Sequence, residues 1–295
     1  MAEARGMTDY TWPEGKQSAF CFTIDLDAHA PWLWATRNET PDRLGQIELR
    51  RFGLRQGMKR ILSLLERFEI PATVFVPAVI AEDHPDVLPG LVEAGHEVAL
   101  HGYFHEIVAD VSDAEFTEAL ERSIALFVRQ TGERPKGFRS PAWEMTRHML
   151  AEVKRHGFYD SSLMGFDHPY TIDGVTELPV QWTTDDAIYF KFYGGGLDGW
   201  APSPPGPVGD GWYDEWRVLD REGQMFMLTI HDWISGRAQR IAMLERLLER
   251  VRAEGDPWFA TAGEIAAHHQ RAHAGDFVID AAHPPAISAR TKSLI

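Results

Sequence analysis

Ser18-Ala19-Phe20-Cys21-Phe22-Thr23-Ile24-Asp25-Leu26-Asp27 is an apolar run that ends on two acids. It reads as a buried strand. Alternate residues of a strand face the same way, so Asp25 and Asp27 can point together to one end of a sheet. Two acids in that position are costly unless something compensates them. A cation and an arginine would do so; a turn cap is the bland alternative for either acid.

Outward from this run, strand and helix signals alternate. Residues 28–45 read as a loop, and Ile47 to Phe68 carries apolar residues at helical spacing, stopped by Pro71. Ala72–Val76 is a second strand, Val87–Ala94 a helix, and Glu97–Leu100 a third strand running into His101. Ser112 to Glu115 forms a capping box for a helix that Gly132 ends. Short strands are expected near Gly137–Arg139, Tyr159–Leu163 and Glu177–Trp182, with a helix at Arg147–His156. Met225–Ile230 and Trp258–Thr261 are later strands, and Ala238–Ala253 a later helix. This alternation predicts an α/β fold: a distorted (β/α) barrel of about seven or eight strands. Sites of such folds lie at the C-terminal strand ends, where Asp25, Asp27, His101, Arg139 and His231 all fall. One domain is expected over residues 17–272, with tails at 1–16 and 273–295. The Gly- and Pro-rich stretch Gly194–Gly211, flanked by Tyr193, Trp212, Tyr213 and Trp216, is expected to be a lid loop.

Composition narrows the partners. With 44 acids against 29 bases the net charge is −15, which disfavours nucleic acid and anionic lipid. No stretch approaches a membrane span, and Met1–Gly6 lacks a secretory signal, so a cytoplasmic protein is expected. The single cysteine, Cys21, excludes an internal disulfide framework and reads as a buried thiol. A small-molecule substrate and a homo-oligomer, dimer or tetramer, are the expected partners.

His101-Gly102-Tyr103-Phe104-His105 places two histidines four apart, on one face if the segment makes a helical turn. Both rings could then meet one ion, though such pairs also occur on surface helices. In Arg139-Ser140-Pro141 the arginine could pair with Asp25; a surface arginine before a turn proline is the alternative. His231, at the end of Leu228-Thr229-Ile230, fits a structural histidine as well as an acid–base group.

Taken together, these four segments resemble the polysaccharide deacetylase family (carbohydrate esterase family 4, the NodB homology domain) in kind and order, over roughly Ser18 to Ala266. The resemblance implies Asp25 as catalytic base, and Asp27, His101 and His105 as ligands of one divalent ion. It further implies Arg139 as the residue orienting the base and His231 as general acid. Zn²⁺ is the expected ion, with Co²⁺, Mn²⁺ or Ni²⁺ as alternatives. Trp182 falls near the family's fourth motif, whose side chains bury and steer the catalytic histidine. Leu26 between the aspartates, Gly102 after the first histidine and the scarcity of Pro and Tyr in Arg139-Ser140-Pro141-Ala142-Trp143, together with Trp143-Glu144, set the chain apart from the usual pattern. They are similar to a subgroup of peptidoglycan deacetylase-like proteins, cyclic imide hydrolases and allantoinase-like enzymes. The expected activity is hydrolysis of a non-peptide C–N bond in a small amide or cyclic imide. Deacetylation of N-acetyl sugars is the alternative. From other classes, a non-haem iron oxygenase uses the same two-histidine, one-carboxylate set, and an inactive metal-binding module would retain it.

Overall fold

The computed structural model describes residues 10–281, except 14, 40–43, 195 and 197. Ten strands form one sheet: β1 Ala19–Asp25, β2 Ala72–Val76, β3 Glu97–Leu100, β4 Gly137–Phe138, β5 Tyr159–Asp160, β6 Tyr170–Ile172, β7 Val175–Glu177, β8 Met225–His231, β9 Trp258–Phe259 and β10 Val278–Ile279. Their order is β10-β6-β7-β5-β4-β3-β2-β1-β8, with β9 paired to the start of β1. Every pairing is parallel except β6 with β7. From β7 the chain continues to Asp185, which makes an isolated parallel bridge to Thr229 of β8. That bridge brings the chain after β7 to the opposite flank of the sheet, the arrangement of a distorted (β/α) barrel. The strand count exceeds the expected seven or eight because of the β6–β7 hairpin and β10, pieces of two or three residues with no readable periodicity.

Strand alternation splits the apolar residues into two layers. Ala19 and Cys21 join Phe75, Ala99, Met225 and Met227 in an inner cluster. Phe20, Phe22 and Ile24 face outward, packed with Ile61, Leu64 and Leu65 of the helix Met58–Phe68 and with Leu244 and Leu248 of the helix Ala238–Glu254. Every residue of β1 is buried, so a strand covered on both faces reads as an unbroken apolar run. Burial pushes the Cys21 thiol far above its ordinary pKa, in keeping with an inert core residue.

Several boundaries differ from expectation. Ala30–Ala35 within the expected loop is a helix. The expected helix at 47–68 begins at Leu44 and is continuous, but with a π-helical turn at Gly53–Gly57. Of the expected tail at 1–16, Tyr10 and Trp12 are buried in the inner cluster, and β10 pairs with β6 beyond residue 272. Of these tails, residues 1–9, 14 and 282–295 lie outside the described residues. The stretch 194–211 is not one loop: Pro205 starts a helix running to Glu222. On it Trp212 and Trp216 are buried in the core rather than free to close over a site, because that helix packs its apolar face on Ala238–Glu254. No helix among the described residues is long and apolar enough to cross a membrane.

Candidate active site

The strand ends converge as their register requires. Asp25 lies opposite both Phe75 of β2 and His231 of β8, and β3 hands over to His101 directly. The histidine pair is not on a helical turn, contrary to expectation; residues 101–107 are irregular. Gly102 at φ +72° and His105 at φ +61° turn the chain instead, held by Glu106, whose carboxylate accepts from the amides of Tyr103 and Phe104 at 2.9 Å. The two rings still meet, their centroids 5.0 Å apart.

Around one point the donors are bare. His101 Nε2 and His105 Nε2 lie 3.6 and 3.5 Å from Asp27 Oδ1, an atom that is buried without a hydrogen-bond partner. His101 Nδ1 donates to the carbonyl of Arg139 at 2.8 Å, which leaves its Nε2 as a lone-pair donor. One ligand atom from each of Asp27, His101 and His105 fits within 4.8 Å of the others. Two imidazoles and a carboxylate so arranged fit a divalent ion with open positions.

Asp25 is held differently. Arg139, fully buried, donates from Nη1 to Asp25 Oδ1 at 2.7 Å and to Thr23 Oγ1 at 3.0 Å. Its Nε bonds the carbonyl of Ser161 at 3.0 Å, and the guanidinium stacks on Phe75 at 4.0 Å. Burial alone would raise the Asp25 pKa, but the charges of Arg139, His101 and His231 outweigh it and hold the carboxyl below its ordinary value. Asp27 is likewise lowered against burial, by His105 and His101. For His105 burial wins, and its pKa falls to about 4.

His231 has partners the sequence reading missed. Its Nδ1 donates to Asp186 Oδ1 at 2.6 Å, its backbone N–H to Asp186 Oδ2 at 3.0 Å, and Ser235 Oγ bonds the same oxygen at 2.5 Å. Burial disfavours charge on His231, yet Asp186 outweighs burial and raises its pKa well above the ordinary histidine value. Trp182, expected to steer this histidine, does not: it is 43% exposed and lies tilted against Trp143, ring centroids 4.4 Å apart. The acids Asp185-Asp186, three and four residues later, take that position; an adjacent pair of acids between two short elements was the available signal. Arg50 and Trp233 were also missed, and Tyr193 was read only as a flank of the lid loop. They line a cavity of about 330 Å³ with Asp25, Asp27, His101, His105, Asp185 and His231, together with Trp34, Trp143 and Trp182. No described residue of 194–211 lines it.

Comparison with known proteins agrees with this geometry. The polysaccharide deacetylase family model matches residues 52–160. A peptidoglycan deacetylase of Helicobacter pylori is 30% identical over 284 residues, covering 85% of this chain and 96% of its own length. A solved structure from Mycobacterium smegmatis, assigned to the polysaccharide deacetylases, superposes with TM-score 0.86 at 33% identity, covering 96% of this chain and 99% of that one. The PuuE allantoinase structure shares the fold at TM-score 0.79 and 24% identity, over 89% and 94% of the two chains. The chain belongs to the polysaccharide deacetylase family of hydrolases.

Proposed function

We propose that this protein hydrolyses a C–N bond in a small amide or cyclic imide, using a divalent ion held by Asp27, His101 and His105. The observation that carries the reading is the buried Asp27 Oδ1, without a hydrogen bond and facing two imidazole Nε2 atoms. When bound there, an ion such as Zn²⁺ supplies Lewis acidity to an acyl oxygen and to water. Asp25, kept ionised by Arg139, takes the proton of the attacking water through Oδ2, which faces His101 at 3.8 Å. His231, kept protonated by Asp186, donates to the departing nitrogen. An oxygenase using the same three ligands has no need for these two acid–base pairs. Aromatic walls around about 330 Å³ suit a compact, flat ligand. The name of the Helicobacter pylori relative favours a second reading, deacetylation of an N-acetylated sugar. The protein is proposed to act in the cytoplasm as a homo-oligomer.

The test is turnover of succinimide, N-acetylglucosamine and chitin oligomers side by side, by protein reconstituted with zinc. Succinimide is expected to be opened faster than either sugar is deacetylated. A rate that climbs with oligomer length would overturn the small-substrate reading.

A further inference from the structure

We infer that Arg50 is a specificity-determining residue that binds a second acyl oxygen of the substrate, beside the one under attack. The inference deepens the amide and imide reading above and rests on it. Arg50 lies in the last turn of the helix Leu44–Phe52, is 5% exposed, and lines the cavity. Its guanidinium is fixed on one side by Trp233, 4.2 Å from the ring centroid, and by Tyr193, whose hydroxyl accepts from Nη2 at 2.8 Å. Nη1 is buried without any hydrogen-bond partner. The nearest carboxylate oxygen, Asp27 Oδ2, is 3.8 Å away, beyond hydrogen-bond reach.

A buried guanidinium N–H left unbonded is costly and calls for an acceptor. The protein does not provide one. Asp27 is committed to the ion site, Asp25 is answered by Arg139, and Asp185 by its neighbour Ala187, whose amide it accepts at 2.5 Å. The nearby Asp232 accepts from the amide of Ala28 at 3.2 Å and makes no ion pair with Arg50 among the described residues. Lys191, also in the cavity wall, adds a second cation. Because Nη1 sits beside an ion ligand, an oxygen bound to it lies only a few atoms from the scissile carbonyl. Imides, ureides and acyl compounds bearing a carboxylate have such an oxygen; a simple acetamide does not.

The glycines that follow explain why the arginine can reach this place. A Cβ on Gly53 would meet Asp232 Oδ2 at 1.7 Å, and one on Gly57 would meet the Asp232 carbonyl at 2.1 Å. The π-helical turn they form lets this helix press against the segment after β8, which also supplies Trp233.

The test uses zinc-loaded wild type, Arg50→Gln, and Arg50→Lys, which keeps the charge should the glutamine variant not fold. Succinamate, the ring-opened half-amide, is titrated calorimetrically, and kcat/KM is compared for succinimide and acetamide. Arg50→Gln is expected to bind succinamate about ten- to hundredfold more weakly and to lower the succinimide-to-acetamide ratio through KM, as loss of a charge-assisted hydrogen bond requires. Zinc content should stay at the wild-type level. Succinamate affinity within about twofold of wild type, or loss of zinc in both variants, would overturn the inference. If wild type turns over neither compound while succinamate binding still falls in Arg50→Gln, the reaction reading fails and the role of Arg50 stands.

Discussion

Strand β3 begins on Glu97 and passes into His101 just beyond its end, and the two ends of the barrel treat polar groups in opposite ways. Glu97 is bonded from three sides: by Thr73 Oγ1 at 2.8 Å, the Gly263 amide at 2.8 Å and Tyr159 Oη at 3.1 Å. At the other end Asp27 Oδ1, His105 Nδ1 and Arg50 Nη1 are buried and unbonded. A carboxylate whose bonds are complete ties elements of the fold together, here β2, β3, β5 and the helix after β9. Groups left incomplete within one cavity have been positioned for something other than the fold.

Four substitutions probe this contrast, in decreasing order of effect. Asp27→Asn should lose the ion and all turnover together, read by elemental analysis after dialysis. Asp25→Asn should keep the ion while turnover falls by about 10²–10⁴-fold. Ion loss in Asp25→Asn with retention in Asp27→Asn would reverse the two roles. The intermediate case is Asp186→Asn. As the proposed general acid, His231 would act in its protonated form, so activity should disappear as pH rises through its raised pKa; without the Asp186 carboxylate that pKa falls. The alkaline limb of the kcat profile should therefore move to lower pH, and an unmoved limb would remove His231 as the acid. The smallest effect is expected from Glu97→Gln: about 1–3 kcal/mol of stability by denaturant midpoint, from mismatched donors, with kcat preserved. A large drop in kcat would show that the two ends are coupled.

What could be read from the sequence followed the length of each signal. β1, β2, β3 and β8 are four to seven residues of dense apolar character, and their ends delivered Asp25, Asp27, His101 and His231. Arg139 was found through its motif despite a strand of only two residues. The β6–β7 hairpin was invisible because three-residue strands carry no period. Asp186 was missed because it follows a one-turn 3-10 helix, where no periodicity says which way a side chain points. Arg50 was missed for the opposite reason. It sits in a helix whose pattern was read correctly, and a charged residue there is normally assigned to solvent. The helical turn assumed for His101 and His105 shows that residue spacing can bring two rings together by a route other than the one it suggests.

The register of β1 with β8 has a consequence for how this scaffold can change over time. Asp25 and His231 are paired residues on hydrogen-bonded neighbours, so their separation is set by the interstrand spacing of about 4.8 Å and not by any loop. The walls of the cavity, by contrast, come from connections: Trp34, Trp143, Trp182 and Tyr193 all lie between strands. In the proposed reaction, proton-transfer geometry and substrate fit are thus written in separable parts of the chain. A lineage, or an engineer, can exchange the walls and redirect the enzyme to a new ligand while the spacing of acid and base is inherited intact.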